Sequence, residues 1–339
     1  MRLIMTTIDF GRVPKTKPYL FADALEIWAG LSNHGPVSKT DAHSLILTSV
    51  TDATELLDID EPDLDDNEYP DGDSGSEISS REQRYIDECY RQLEYRINEF
   101  SDVYPFTLQS EVLKLKDDLS DLNMLYLFLL LASRSRTFGG NRGLTQRIAN
   151  VFEEVCKDSL QKLMNSDARV IMFGPTSEDR GALFDSNLRR ALPKLASFMG
   201  MTMAPDWSPS AEKAQGDGKI DLVGVQRLDQ AQGGWNVFIG QCAAMEEEKN
   251  WEPKRAQADI KFHASRFHFT VPAQAVMFIP VCFRQPDGLW VNKGSADNVI
   301  LMDRVRILRN FGGDEDSVEK VREFIQREFA IGEMTTAAA

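Results

Sequence analysis

Gly216-Asp217-Gly218-Lys219-Ile220-Asp221-Leu222-Val223-Gly224-Val225, a polar turn over Asp229–Gly234, and then Trp235-Asn236-Val237-Phe238-Ile239-Gly240-Gln241-Cys242-Ala243-Ala244 form the stretch on which the reading of this chain turns. Both halves are short apolar runs rich in β-branched residues, which predicts a strand hairpin. With the turn centred near Ala231, residues whose numbers sum to 462 face each other, and Asp221 is paired with Gln241. Opposed residues on one sheet face have Cβ atoms about 4.5–5.5 Å apart. A carboxylate and a carboxamide oxygen so placed can share one hard cation. Asp221, Val223 and Val225 are expected on one side with Val237, Ile239 and Gln241, and Ile220, Leu222, Phe238 and Cys242 on the other. Both faces are apolar, so the hairpin is expected to be covered on both sides. Asp221 then belongs at its edge, near a cleft.

Around this hairpin the spacing predicts a helix over 145–164, a short strand over 169–173, and a helix over 184–199 kinked at Pro193. A helix over 252–267, a strand over 274–282 interrupted by Pro280, a short strand near 299–301 and a last amphipathic helix over 316–329 follow. The order is mixed α/β and not a regular βαβ repeat. Upstream, Tyr19–Leu31 is the best helix of the first fifty residues, and 81–100 carries one apolar helical face. Phe106–Arg136 reads as continued helix with a charge-rich break at Lys114–Asp118. The apolar run Met124–Ala132 is expected at the centre of a bundle. Three regions result: a mostly helical N-terminal domain over 1–137, an α/β domain over 145–330 with a central mixed sheet, and a flexible tail over 331–339. The glycine-rich joint Phe138–Gly143 lies between the first two. It lacks the Lys-Ser/Thr ending of a phosphate-binding loop.

Length alone, at 339 residues, suggests about two domains. The net charge of −15 is concentrated: Asp52–Glu77 holds twelve acidic residues and no Lys or Arg, and subtracting them leaves −3. With its prolines, glycines and serines, the stretch 52–79 reads as a disordered acidic spacer, or as a nucleic-acid mimic that fills a basic groove. The apolar run at 124–132 is far short of the roughly 20 residues a bilayer span needs. The N-terminus lacks a secretory pattern. A cytoplasmic protein without a membrane partner is expected. Cys89, Cys156, Cys242 and Cys282 have no CxxC spacing and are expected as buried core thiols.

Asp is disfavoured within a strand, and a buried unpaired carboxylate is costly. Asp221 therefore needs a metal or a cationic partner. Asp217, four residues earlier, is the alternate, although its glycine neighbours suit a simple turn equally well. Pro253 is an apt first helical residue, which puts Lys254 in the first turn. There a phosphate would meet both amide N–H groups and the ammonium. Glu153 and Glu154 lie on the helix after the joint, and one of them could approach a metal. Arg189 and Arg190 are adjacent on the following helix. His263 and His268 lack the spacing of a third ligand.

Asp217-Gly218-x-x-Asp221, then Gly240-Gln241-Cys242-Ala243, then Trp251-x-x-Lys254 resembles the restriction-endonuclease-like (PD-(D/E)XK) nuclease superfamily, in a form similar to bacterial anti-phage defence proteins. The usual signature is Asp, then Glu or Asp, any residue, and Lys. Here Gln241 stands for the acidic residue and Ala243 for the lysine. Variants with Gln in that place, and with the lysine moved to the next helix, occur in the superfamily. The resemblance covers about 145–330. It implies a nuclease using Mg²⁺ or Mn²⁺ held by Asp221 and Gln241, with Glu153 completing the set and Lys254 activating water or neutralising charge. It also implies contacts from Arg189, Arg190, Arg255 and Lys261 to the backbone of double-stranded DNA. The acidic balance opposes high affinity for nucleic acid by the chain alone. A protein partner, such as an ATPase or sensor subunit, is therefore expected to dock on the helical half, and self-assembly into a homo-oligomer is compatible with the same reading. The alternative is an inactive interaction subunit that keeps the nuclease fold.

Overall fold

The computed structural model describes residues 17–31, 35–49, 75–135, 142–164, 166–231, 233–245 and 248–329. They fall into two compact units, one comprising described residues up to 135 with 283–291 and 324–329, the other those from 142 to 282 with 292–323. The acidic stretch up to residue 74, most of the glycine-rich joint and the C-terminal tail lie outside the described residues. Among the described residues, no helix is long and apolar enough to cross a membrane.

The first unit contains α1 (Pro18–Leu31), α2 (Lys39–Ser49), α3 (Gly75–Phe100) and α4 (Asp121–Ser133). A small antiparallel sheet of β1 (Val37–Ser38), β2 (Phe106–Gln109) and β3 (Val112–Leu115) accompanies them, in the order β1-β3-β2. Helix α4 is buried from Asn123 to Ser133, as an all-apolar run requires, and a Ser120–Asn123 capping box starts it. Residues 106–115 correct the helical expectation: they form the β2–β3 hairpin. Its turn residues, Ser110 and Glu111, have φ of 50° and 60°, a conformation usually left to Gly or Asn. Without that turn signature, the apolar positions imitate a helix. Arg96 is fully buried between Asp23 and Glu26, at 2.8 Å from each.

The second unit is built on a mixed five-stranded sheet of β4 (Arg169–Met172), β6 (Leu222–Gln226), β7 (Asn236–Cys242), β9 (Gln274–Phe278) and β10 (Ile300–Met302). The spatial order is β10-β9-β7-β6-β4. β4, β6 and β7 run antiparallel, and β7, β9 and β10 run parallel. A short pair, β5 (Thr202–Met203) with β8 (Phe267–His268), lies apart from this sheet. The helices are α5 (Arg142–Met164), α6 (Glu178–Leu183), α7 (Leu188–Phe198), α8 (Glu248–Ala258), α9 (Ile260–His263), α10 (Arg304–Arg309) and, up to residue 323, α11 (Glu315–Phe329). Leu192 and Leu195 of α7 pack with Val223, Val225, Val237 and Ile239 on one sheet face. On the other face, a Cβ at Gly224 would lie 2.2 Å from Met164 Sδ, so the glycine lets α5 approach. The pairing of Leu222 with Gly240 and Val223 with Ile239 is the 462 register. The side alternation stops at β6, because Ile220 joins the cluster of Val223. Two long helix expectations become shorter pieces: 184–199 is α7 alone, and 252–267 is α8, α9 and β8. All four cysteines are buried thiols.

Candidate active site

Asp221 sits one residue before β6, at the edge of the sheet, and is 6% exposed. Its backbone N–H donates to the Gly240 carbonyl at 3.0 Å, and its carbonyl accepts from Phe173 N–H at 2.7 Å. The position is thereby fixed from both neighbouring strands. Its carboxylate Oδ2 accepts from Cys242 N–H at 2.7 Å, and the Gln241 carboxamide beside it also favours the charged form. The 462 register holds from Leu222–Gly240 to Gln226–Asn236, and Asp221 leaves it, its N–H going to Gly240 while the Gln241 carboxamide stays near its carboxylate. Gln241 is 2% exposed, and its Oε1 has no hydrogen-bond partner. A buried acceptor left bare costs about 1–3 kcal/mol.

Lys254 donates to the Cys242 carbonyl at 2.9 Å. One peptide unit after Gln241 thus bonds Asp221 through its N–H, and the next carbonyl holds the lysine. Lys254 corrects the helix-terminus expectation. Helix α8 begins at Glu248, with Pro253 inside it, so Lys254 is not in the first turn. Trp251 is fully buried, and burying it draws the preceding turn into the helix at the cost of the backbone bond a proline cannot donate.

Glu153 enters from α5. Its Oε2 lies beside Gly174, just beyond β4, where an added Cβ would be at 3.4 Å, in ordinary contact. Burial, then the charge of Asp221, pushes the Glu153 carboxyl up to about 8, against the pull of Lys254. Burial likewise raises Asp221 to about 6, opposed by the Cys242 N–H and by Lys254. Asp217 adds to the repulsion felt by both, and its Oδ1 accepts from Lys219 N–H at 2.8 Å. Asp221, Gln241, Lys254, Glu153 and Asp217 are thus electrostatic neighbours. Glu154 turns away to Lys320, at 2.7 Å. Among the described residues, no group of three His, Cys, Asp or Glu side chains is arranged to hold a metal. The oxygen set here is two carboxylates and a carboxamide.

The cationic residues are dispersed. Arg189 and Arg190 begin α7 beside the loop that ends in Asp217, because Leu188 N–H donates to Ala214 and its side chain packs at Gly218. Arg189 also donates to the Glu212 carbonyl at 2.8 Å, and Arg190 pairs with Asp185 at 3.3 Å. Arg255 is engaged by Glu252 and the Asp297 carbonyl. Lys261 is exposed on α9. On the Glu153 side an open cleft of about 570 Å³ is lined by Glu154, Asp179, Asp314 and Asp316 among others.

Two arginines at the site escape sequence reasoning. Arg180, fully buried, donates to the Gly216 carbonyl at 2.6 Å, and Arg266 donates to the Gly218 carbonyl. These contacts span 36 and 48 residues, and nothing local in the sequence announces them. The glycines on either side of Asp217 were the one available signal that this backbone takes an unusual path. The chain matches no known family, no curated protein and no solved structure in comparison with each.

Proposed function

We propose that this chain is a metal-dependent nuclease of the restriction-endonuclease-like type, acting on double-stranded DNA. The observation that carries this reading is the bare, buried Gln241 Oε1 near the Asp221 carboxylate, whose charge Glu153 feels and Lys254 offsets. The donor set suits Mg²⁺ or Mn²⁺. Mg²⁺ keeps several waters and takes only one or two carboxylates from a protein. Asp221, Glu153 and the Gln241 oxygen would hold the ion, with Asp217 at the loop beside them. When bound, the ion supplies an oriented water and stabilises charge on the scissile phosphate.

The chain's own residues do the rest. Lys254, tethered to the Cys242 carbonyl, presents a cation to the same place and offsets charge on an entering phosphate. Arg189 and Arg190 flank the Asp217 loop and meet the phosphate backbone there. The acid-lined cleft beyond Glu153 repels it, so the strand approaches from the α7 side. The net charge of −15 fits an effector delivered to DNA by a partner, an ATPase or sensor, in a bacterial defence complex.

One observation favours the inactive interaction subunit. Ala243 stands where the signature has lysine, and Asp221 and Lys254 are both engaged by one strand end. Plasmid incubated with Mg²⁺ or Mn²⁺ separates the readings, with Asp221→Ala and Lys254→Ala alongside. Cleavage lost in both variants supports the enzyme. No cleavage under any condition, even with a co-expressed partner, supports the scaffold.

A further inference from the structure

We infer that Arg180 is a positioning residue that presents Asp217 to the site, an inference that rests on the nuclease reading above. The loop 216–219 is unusual backbone: φ is +107° at Gly216, +64° at Gly218 and +67° at Lys219. A non-glycine residue such as Lys219 holds that conformation only when its surroundings impose it. The Asp217 carboxylate caps the turn through Lys219 N–H, and the Asp217 carbonyl accepts from Ile220 N–H at 3.2 Å. Asp221 follows at once, so the geometry of this turn is the geometry of the site's entrance.

Arg180 grips the turn from below. Its guanidinium donates to the carbonyls of Phe173, Gly216, Asp185 and Ser186, at 3.3, 2.6, 3.1 and 3.1 Å. It lies 4.8 Å from the centre of the Phe173 ring. None of these partners is a carboxylate. The charges it senses are Asp217, then Asp185. A buried cation without a contacting anion is costly, and apolar packing of the same volume is often the more stable choice. The planar fork gives this position something apolar packing cannot: Phe173, which bonds the Asp221 carbonyl, and Gly216, which precedes Asp217, are tied to one rigid group. Arg266 grips the far side through Gly218, held in turn by Glu212. Arg180 touches neither substrate nor ion. It acts through Asp217.

The test uses Mn²⁺ alone, titrated by calorimetry into the full chain. Supporting groups of this kind typically change metal affinity about 10–100-fold. Arg180→Met is expected to raise the Mn²⁺ dissociation constant by that factor, and Arg180→Lys, which keeps the charge without the fork, by less. Should Arg180→Met not fold, Arg180→Lys carries the test. In an Asp217→Asn background the Arg180 change is expected to add clearly less, a coupling that general destabilisation would not produce. Wild-type affinity in Arg180→Met, with binding abolished by Asp221→Ala, overturns the inference and leaves the nuclease reading intact. Equal losses in the two backgrounds also overturn it. If wild type itself binds no Mn²⁺, the nuclease reading fails, and amide exchange at Lys219 and Ile220 decides: faster exchange in Arg180→Met sustains the positioning role, and unchanged exchange ends it.

Discussion

Replacing Glu153 by Gln should make the second unit less sensitive to pH. The unfolded chain releases the Glu153 proton near 4.5, whereas the folded chain retains it to about 8. Between those values the native state carries the extra proton. The stabilisation is complete below the lower value and is lost as pH rises through the upper one. At about 1.4 kcal/mol per pH unit, an isolated group so displaced would contribute on the order of 5 kcal/mol. Glu153 is only partly buried, and screening by water reduces this to about 2 kcal/mol. Gln mimics the protonated acid and cannot lose the proton. Amide exchange of the β6 and β7 backbone in the presence of chelator reads this unit by itself. Wild type should lose about 2 kcal/mol more than Glu153→Gln between about pH 5 and pH 9. Parallel pH profiles for the two proteins, or a wild type that gains stability over that range, would refute the reasoning.

Gly200 has φ of +70°, and an added Cβ would lie 2.6 Å from the Trp235 ring; Gly200→Ala should therefore cost about 2–3 kcal/mol, read as a lowered denaturant midpoint. Arg96→Met removes the cation between buried Asp23 and Glu26 and should destabilise the first unit by about 3–5 kcal/mol, checked by exchange at α1 and α3 amides. Lys254→Met deletes the attraction that opposes burial at Asp221 and Glu153. Both acids then titrate higher, and the pH of half-maximal Mn²⁺ binding should rise by about one unit; an unmoved midpoint in a calorimetric pH series would contradict this.

The sheet of the second unit was legible because its strands advertise themselves locally. Arg169–Met172, Leu222–Gln226, Asn236–Cys242 and Gln274–Phe278 are short β-branched or apolar runs between breakers, and each is a strand. The hairpin register followed from the polar turn at 229–234, since the turn centre fixes which residues meet. Ser110 and Glu111 show the opposite case. A left-handed turn made without Gly, Asn or Asp leaves no mark, and the hairpin it closes was read as helix. Lys254 shows a third. The rule that proline opens a helix is local, whereas the helix boundary was set by the burial of Trp251. Arg180 and Arg266 were beyond reach in principle. Arg180 bonds only backbone carbonyls and leaves no complementary side chain in the sequence to pair it with, and the Glu212 partner of Arg266 lies 54 residues away.

The glutamine at 241 follows from the charges around it. Burial pushes Asp221 and Glu153 upward, the charge of Asp221 adds to Glu153 and that of Asp217 to each, and Lys254 opposes both, joined at Asp221 by the Cys242 N–H. A third carboxylate inside this group would have to be protonated or desolvated at further cost. A carboxamide avoids that cost. It favours the charged form of Asp221 and leaves its own oxygen without a hydrogen-bond partner. The bare oxygen is the local deficit that a hard cation would remove. Gln241 also lies on β7, the strand that is antiparallel to β6 and parallel to β9. That strand is paired along both edges at the centre of the five-stranded sheet, so the carboxamide hangs from well-held backbone. A weak ligand on a rigid support loses little in ordering, and that is the condition under which a neutral oxygen can take the place of a charged one.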